Sequence, residues 1–390
     1  MNPYSFSRPV TDPAMFYGYR PELDYIVSKV TSPNNPMSFA VMGGNGMGKT
    51  SLLRQAERRL RTLETQPSED NCMVIPLFLD MLQLDDTTPG DFLGKAGHLL
   101  NRYLSKTPPS FPLTLQVKTQ LESIKTHAEP TDAFTDALYE LVQAALPFPI
   151  RVVFLIDDLW RVKRQEKNKS LTGIIRALAI EPTLDKAIAC IITGSYQEID
   201  PNKPGSPLDN LLRMLDLHTF DEEQSLALIN EPTQGKVPQE VAHRVYVETG
   251  GHPLLLQGLM LELCEYEDLT QLTVEDVQQA TAYFLKERRD FERWGEKLSD
   301  ADRKVYEVFC QQGQASPDDL HRMMLNIPAG GGRNVILNKP RILDSLRILR
   351  TMGLIRERED GDQDPIHELA GQWYAHWFLQ MNRPTQSLVN

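Results

Sequence analysis

The chain has 390 residues, of which 41% are hydrophobic and 24% charged, a balance typical of a soluble globular protein with two or three domains. Its formal net charge of −12 disfavours tight, non-specific binding to nucleic acid. No apolar run is long enough to cross a membrane, and the N-terminus lacks the features of a signal peptide, so we expect a cytoplasmic protein with no membrane partner. The four cysteines are widely separated and form no metal-binding pair.

The first predicted elements are a helix and a strand. Apolar residues at helical spacing, with Pro21 in a plausible first turn, predict a helix within residues 16–30. The apolar run from Ser38 to Met42 predicts a buried parallel strand. A second helix, with leucines on one face and arginines on the other, follows a glycine-rich segment.

That glycine-rich segment matches G-x-x-x-x-G-K-[ST] without a mismatch. Its residues are Gly43, Gly44, Asn45, Gly46, Met47, Gly48, Lys49 and Thr50. Glycines let backbone N–H groups approach phosphates closely, and the positive end of the following helix favours negative charge. We therefore expect this segment, with the adjoining Ser51, to bind ATP or ADP. Lys49 would span the β- and γ-phosphates, and the Thr50 hydroxyl would take a Mg²⁺ position.

Four more apolar runs predict strands, so that the fold class is α/β with a five-stranded parallel sheet. Pro76 places one of them at an edge or a bulge of the sheet. Two amphipathic stretches, residues 88–107 and 120–146, predict helices packed on the sheet. The runs cover residues 72–80, 152–156, 187–194 and 215–220.

Two carboxylates follow directly after the run at residues 152–156. A fully apolar strand that ends in Asp157 and Asp158, about a hundred residues after a phosphate loop, is the Walker B pattern. Asp157 would hold Mg²⁺, and Asp158 would orient or deprotonate the attacking water. A strand-ending turn also favours aspartate, which is the alternative explanation of this pair.

From Asp221, a predicted N-cap, the pattern becomes helical. Gly250 and Gly251 end one helix, and Pro253 starts the next. Three further helices and a hairpin then have the order of a winged helix. Their predicted ranges are 299–309, 316–325, 338–352 and 353–369.

Basic residues are concentrated in two places. The third winged-helix element is locally basic and could enter a DNA major groove. A run at residues 161–169 is a solvated face or a phosphate contact, and neither Arg161 nor Arg164 has the context of an arginine finger. The basic residues of the third helix are Lys339, Arg341, Arg347 and Arg350.

The order of these motifs resembles the STAND class of P-loop ATPases and the related archaeal ATPases and AAA+ initiators. The opening motif of that family matches at Phe16, Tyr17, Gly18, Glu22 and Leu23, whereas Tyr19 stands where the family has arginine. The resemblance covers nearly the whole chain. It implies a P-loop core, a helical lid and a C-terminal winged helix.

The same resemblance implies three more nucleotide-binding residues. Pro253, within Gly-Gly-His-Pro, would lie against the adenine, and Thr193 would sense the γ-phosphate at a strand end. His367 would touch the β-phosphate of ADP, although Glu368 replaces the aspartate of the family motif. Each residue also has a purely structural explanation. Pro253 could simply start a helix, Thr193 could belong to a strand-ending turn, and His367 could be a hydrogen-bonded histidine of the surface or core.

The implied function is a slow ATPase that acts as a molecular switch. ADP would lock the winged helix, and ATP would release it and permit self-assembly. A separate protein would serve as the sensor or effector. The alternative is a DNA-associated ATPase, like an initiator or a transposition regulator, that places the winged helix on DNA. A third hypothesis, a scaffold that binds nucleotide without hydrolysing it, is disfavoured by the two carboxylates.

The predicted domains are a lead-in with a packing helix, the P-loop core, the lid, the winged helix and a tail. They cover residues 1–34, 35–220, 221–298, 299–381 and 382–390.

Overall fold

The structure is a computed structural model. It describes residues 2–6, 8–63, 72–84, 88–106, 115–145, 149–159, 168–184, 186–196, 205–266, 268–287, 290–325, 337–358 and 365–382. The chain divides into two compact units. The sheet unit contains Tyr19–Met42 and Lys49–Asp216, and the helical unit contains Met1–Gly18, Gly43–Gly48 and Leu217–Asn390. The five domain boundaries expected from the sequence remain predictions.

The sheet unit contains a five-stranded, fully parallel sheet, which confirms the predicted α/β fold class. Its three inner strands are buried on both faces, which explains their continuous apolar runs in the sequence. The strand order is β2-β3-β4-β1-β5, so that β2 and β5 form the edges. The strands are β1 (Ser38–Met42), β2 (Met73–Asp80), β3 (Ile150–Asp157), β4 (Ile188–Gly194) and β5 (Leu212–Asp216).

Strand β5 lies earlier in the chain than the predicted run at 215–220. It pairs with β1 from Leu212 onwards. The backbone N–H of Phe220, which the prediction placed in a strand, instead donates to the carbonyl of Gly251 at 2.9 Å. The apolar residues after Asp216 are therefore buried without joining the sheet.

Six α-helices accompany the strands within the described part of the sheet unit. They are α1 (Arg20–Val30), α2 (Lys49–Thr62), α3 (Pro89–Leu104), α4 (Leu115–Ser123), α5 (Pro130–Ala145) and α6 (Asn168–Ile180). The stretch predicted as helical over residues 120–146 is divided between α4 and α5. Pro130 at the start of α5 lacks the N–H that a continuous helix would need, so the chain breaks before it.

A buried arginine ties α1 to the sheet. Arg151 of β3 is 1% exposed. Its guanidinium donates to the carbonyls of Val30 and Ser32 at 3.0 and 2.6 Å, and to that of Lys186 at 2.8 Å. Burial lowers the pKa of Arg151, and the carbonyl oxygens replace the water that the charge has lost.

In the region of the helical unit that was predicted as a lid, the described residues form five α-helices. They are α7 (Glu222–Asn230), α8 (Gln239–Thr249), α9 (Pro253–Leu263), α10 (Val274–Glu287) and α11 (Asp290–Lys297). Asp221 caps α7, as expected, because its side chain accepts from the N–H of Gln224 at 2.7 Å. The Gln224 side chain in turn accepts from the N–H of Asp221, which completes a capping box that was not predicted.

The remaining part of the helical unit contains helices and three short strands, and its assignment as a winged helix remains a prediction. Its three strands form an antiparallel sheet in the order β6-β8-β7. Asn338 caps α14, since its side chain accepts from the N–H of Arg341. The elements are α12 (Asp300–Gln312), β6 (Gln314–Ala315), α13 (Pro317–Leu325), α14 (Lys339–Thr351), β7 (Ile355–Arg358), β8 (Ile366–Leu369) and α15 (Gln372–Met381).

Within the described ranges, no helix combines the length and the apolar character that crossing a bilayer would require.

Candidate nucleotide-binding site

The glycine-rich loop at residues 43–48 connects β1 to α2. Gly46 and Gly48 have φ values of +80° and +84°, in the left-handed region that favours glycine. Lys49 is the first residue of α2, which runs for 14 residues. The chain therefore presents a glycine loop directly before a helix N-terminus, the local geometry that binds phosphate.

The threonine after Lys49 bonds to the first Walker B carboxylate. The Thr50 hydroxyl donates to Oδ2 of Asp157 at 2.9 Å, and the Thr193 hydroxyl donates to Oδ1 at 2.8 Å. Asp157 is 6% exposed. Its burial raises the pKa of Asp157, and the two hydroxyl hydrogen bonds oppose that rise. These bonds hold both carboxylate oxygens in place at the end of β3.

Asp158 has a strained backbone at the end of the same strand. Its φ is +54°, a value that few residues with a side chain adopt. Its N–H donates to the Thr193 hydroxyl at 2.9 Å. Thr193 is 0% exposed, and its hydroxyl thus connects the two aspartates. The γ-phosphate-sensing role of Thr193 remains a prediction.

The side chains at Thr50 and Asp157 fit a magnesium ion. A hydroxyl and a carboxylate are hard oxygen donors, and Mg²⁺ in nucleotide sites needs only one or two protein ligands beside the phosphates. Among the described residues, no group of three or more His, Cys, Asp and Glu side chains could hold a metal ion by itself. The binding of Mg²⁺ by Thr50 and Asp157 remains a prediction.

Within the helical unit, the phosphate loop bonds to the end of α14. The N–H of Gly44 donates to the carbonyl of Thr351 at 2.7 Å. A Cβ added to Gly44 would lie 2.8 Å from the Cα of Met352, closer than real Cβ atoms come. Glycine at this position therefore permits the close approach of α14. The sequence pattern had assigned this glycine to phosphate binding alone.

Two other helices of the helical unit also contact the loop. A Cβ added to Gly46 would lie 2.6 Å from the Leu254 side chain at the start of α9. Asn45 accepts a hydrogen bond at 3.0 Å from the ammonium group of Lys297 in α11. Sequence reasoning missed Lys297 and Thr351, because no local motif marks either residue.

Pro253 is the buried first residue of α9, next to the Leu254 that contacts the loop. Gly250 ends α8 in the left-handed conformation, and the His252 ring lies 4.7 Å from the Trp294 ring. These residues therefore end one helix and begin the next, as the structural explanation of the stretch requires. The contact of Pro253 with adenine remains a prediction.

His367 lies in β8, where its cross-strand neighbours are Ala315 and Glu357. It is 5% exposed, and its Nδ1 has no hydrogen-bond partner within the described part of the chain. Burial is the main cause that lowers the pKa of His367 to about 4, with a smaller contribution from the charge of Arg350. Its contact with ADP remains a prediction.

We expect the free energy of unfolding to fall on acidification because of His367. Its folded-state pKa of about 4 lies below the ordinary 6.5. The unfolded chain therefore binds a proton first, and stability is lost as the pH falls from about 6.5 towards about 4. Urea titrations at about pH 7 and about pH 5 should show a smaller pH difference for His367→Gln. An equal pH difference in the wild type and in His367→Gln would contradict the assignment.

Two predicted features lie outside the described residues. They are the basic run, apart from Asn168 and Lys169 at the start of α6, and the wing turn at residues 359–364.

No protein-family model and no curated protein sequence matches the chain. Solved structures do match it. The Walker-type ATPase PABY2304 of Pyrococcus abyssi is 16% identical, with 95% of this chain and 98% of that chain covered and a TM-score of 0.57.

Two lower-scoring matches are the Aeropyrum pernix ORC1 protein in complex with DNA and Cdc6p from Pyrobaculum aerophilum. They are 16% and 13% identical, with TM-scores of 0.42 and 0.43. The alignments cover 95% and 97% of this chain, and 94% and 98% of those chains. At these identities the likeness concerns the fold alone. The likeness to the Pyrococcus abyssi protein shows that the two chains share an α/β fold.

Proposed function

We propose that the protein binds and slowly hydrolyses ATP and that it acts as a nucleotide-dependent switch. One observation carries this proposal: the loop that runs directly into Lys49 and Thr50 donates a backbone hydrogen bond to the last turn of α14. A change in loop conformation on nucleotide binding would therefore alter or break a contact with the winged-helix region.

In this proposal each residue of the site has a defined role. The N–H groups of the loop and the Lys49 ammonium bind the phosphates, and the helix N-terminus adds to the positive potential. Magnesium, when bound, neutralises charge on the β- and γ-phosphates. Thr50 and Asp157 hold it, and Asp158 orients the water that attacks the γ-phosphorus, with ADP as the leaving group.

The output of such a switch is a conformation. The bond between Gly44 and Thr351 and the contact between Asn45 and Lys297 hold the loop in one arrangement. A ligand shifts such an equilibrium only if it binds the two arrangements with different affinity. The γ-phosphate is the group that differs between ATP and ADP. We propose that it favours release, self-assembly and binding of a separate sensor or effector protein.

The experiment is size-exclusion chromatography of the purified protein with ADP, with ATP and with a non-hydrolysable ATP analogue. We expect the analogue to change the elution volume relative to ADP. Lys49→Ala should abolish the change and weaken ATP binding about 10- to 100-fold, because a charge-assisted phosphate contact is lost.

Arg58→Ala is the matched control, since Arg58 is an exposed cation of the same helix. It should behave like the wild type. Identical elution in every nucleotide state would remove the switch, and calorimetry that stays flat for ATP and ADP would remove nucleotide binding as well.

The DNA-associated alternative depends on α14. Three of its basic side chains bond within the described residues of the winged-helix region: Lys339 to Asp318, Arg341 to Ser299, and Arg350 to Glu357. These exchangeable surface contacts would have to give way to phosphates. DNA-stimulated hydrolysis, with salt-sensitive duplex binding that weakens in Arg347→Ala, would favour this alternative.

A further inference from the structure

The edge strand of the sheet lies at the floor of a groove. β2 is outermost in the strand order, and among the described strands it pairs with β3 alone. Alternate side chains of a strand point to opposite faces of the sheet. The contacts of two neighbouring β2 residues therefore place α2 on one face and α3 on the other. Phe78 contacts Arg54 of α2, whereas Leu77 belongs to the same buried cluster as Phe92 and Leu93 of α3. The groove between these helices has a volume of about 590 Å³.

The outward edge of β2 presents backbone groups. The N–H of Met73 donates to Pro149, on the β3 side, at 2.8 Å. Backbone groups alternate along a strand, so those of Val74, Pro76 and Phe78 face outward. Pro76 therefore loses no ladder hydrogen bond, which accounts for a proline within this strand. The Val74 carbonyl accepts from the Tyr103 hydroxyl at 3.4 Å. The outward groups of Pro76 and Phe78 lie in the groove lining, where an added strand could pair with them.

The groove is cationic although the chain as a whole is acidic. Among the described residues that line it, the carboxylates are Glu57 and Asp80. Glu57 bonds to two arginines of α2, and Asp80 accepts from the N–H of Leu82 at 2.9 Å. The cations of the lining are Arg54, Arg61, Lys95, Arg102 and Lys106. Three of these cations form no ion pair with a described residue: Lys95 and Arg102 of α3, and Lys106 just after its end. The groove therefore keeps an excess of positive charge.

The lining also offers apolar and aromatic surface. The Arg54 guanidinium lies 3.3 Å from the centre of the Phe78 ring, and Leu77, Leu99 and Tyr103 add to the walls. A nucleic acid would use the cations but would not use the strand edge. An extended, acidic polypeptide would use the cations, the apolar walls and the backbone together.

We propose that this cationic groove docks an acidic segment of a partner protein, which adds to β2 as an extra strand. Main-chain hydrogen bonds to β2 provide part of the affinity, and carboxylates facing α3 provide the selectivity for acidic sequences. The proposal concerns a surface of the sheet unit and does not depend on the nucleotide chemistry.

The probe is a fluorescent peptide, as long as β2, that alternates glutamate with valine and has blocked termini. Fluorescence anisotropy with the full chain should show saturable binding that weakens with salt. The variant Arg102→Glu with Lys106→Glu should weaken it about ten-fold, because two ion pairs become repulsive contacts. Arg58→Glu with Lys236→Glu places the same charge change at exposed positions outside the groove and should leave binding unchanged.

Backbone methylation separates strand addition from charge attraction. Only alternate N–H groups of an added strand face β2. Methylating one alternate set of peptide nitrogens should therefore abolish binding, and methylating the other set should be tolerated. Equal effects of the two sets would overturn strand addition. The proposal would also be overturned by no saturable binding, by equal weakening in the control variant, or by a single-stranded DNA that binds the groove as tightly as the peptide.

Discussion

Asp158→Asn is expected to lower the turnover number for ATP hydrolysis by about 10²- to 10⁴-fold, while the affinity for ATP changes by less than about three-fold. The amide cannot accept a proton from the attacking water, but it keeps the shape of the side chain. Asn also tolerates the left-handed conformation that position 158 requires, with φ of +54°. The N–H that donates to Thr193 should therefore stay in place.

Asp158→Ala is a less informative variant, since alanine at a positive φ adds strain of about 1–2 kcal/mol. The matched control is Asp132→Asn, which removes an exposed carboxylate at the start of α5. Phosphate release and calorimetric ATP binding are the two measurements. An unchanged turnover would exclude Asp158 from the chemistry, a parallel loss of affinity would give it a binding role, and no release from the wild type would favour a non-hydrolysing scaffold.

The second large effect is expected at Gly251. Its φ is +73°, and an added Cβ would lie 1.9 Å from the carbonyl oxygen of Phe220. The backbones cannot separate freely, because the N–H of Phe220 donates to the Gly251 carbonyl at 2.9 Å. Gly251→Ala should therefore lower the free energy of unfolding by about 3–4 kcal/mol, as the sum of backbone strain and a lost close contact.

Gly235→Ala separates these two causes. Gly235 also has a positive φ, +69°, but nothing lies within 4 Å of its added Cβ. Gly235→Ala should therefore lower the free energy of unfolding only by the backbone strain, about 1–2 kcal/mol. Urea unfolding followed by tryptophan fluorescence suits the measurement, since Trp294 and Trp373 are buried in the same unit. Losses of equal size in the two variants would show that the contact with Phe220 contributes nothing.

The fold class could be predicted because its signals are local. Apolar runs reveal the strands buried on both faces, and glycine, proline and capping residues mark where helices begin and end. Examples are the N-cap at Asp221 and the edge strand of Pro76, which the sequence placed at an edge or a bulge. The last strand was misplaced because burial of Leu217 and Phe220 does not require pairing with a sheet.

The candidate site could be predicted from the sequence only in part. The motif predicted Lys49, Thr50 and Asp157 from residue types that phosphate and Mg²⁺ require. The connecting role of Thr193 was not predicted. It depends on β3 and β4 being neighbours, which brings together residues 36 positions apart.

The sequence by itself determined the glycine-rich motif on which the predicted phosphate site depends, since eight consecutive residues match it without a gap. Only the tertiary structure decided which surfaces meet that loop and which strand edge faces a groove. The bond from Gly44 to Thr351, and the cations of α2 and α3 on either side of β2, join segments that are distant in the chain. The physical reason is that local propensity depends on a few neighbouring residues. The partner of a surface, by contrast, depends on how all the buried side chains of a unit pack together.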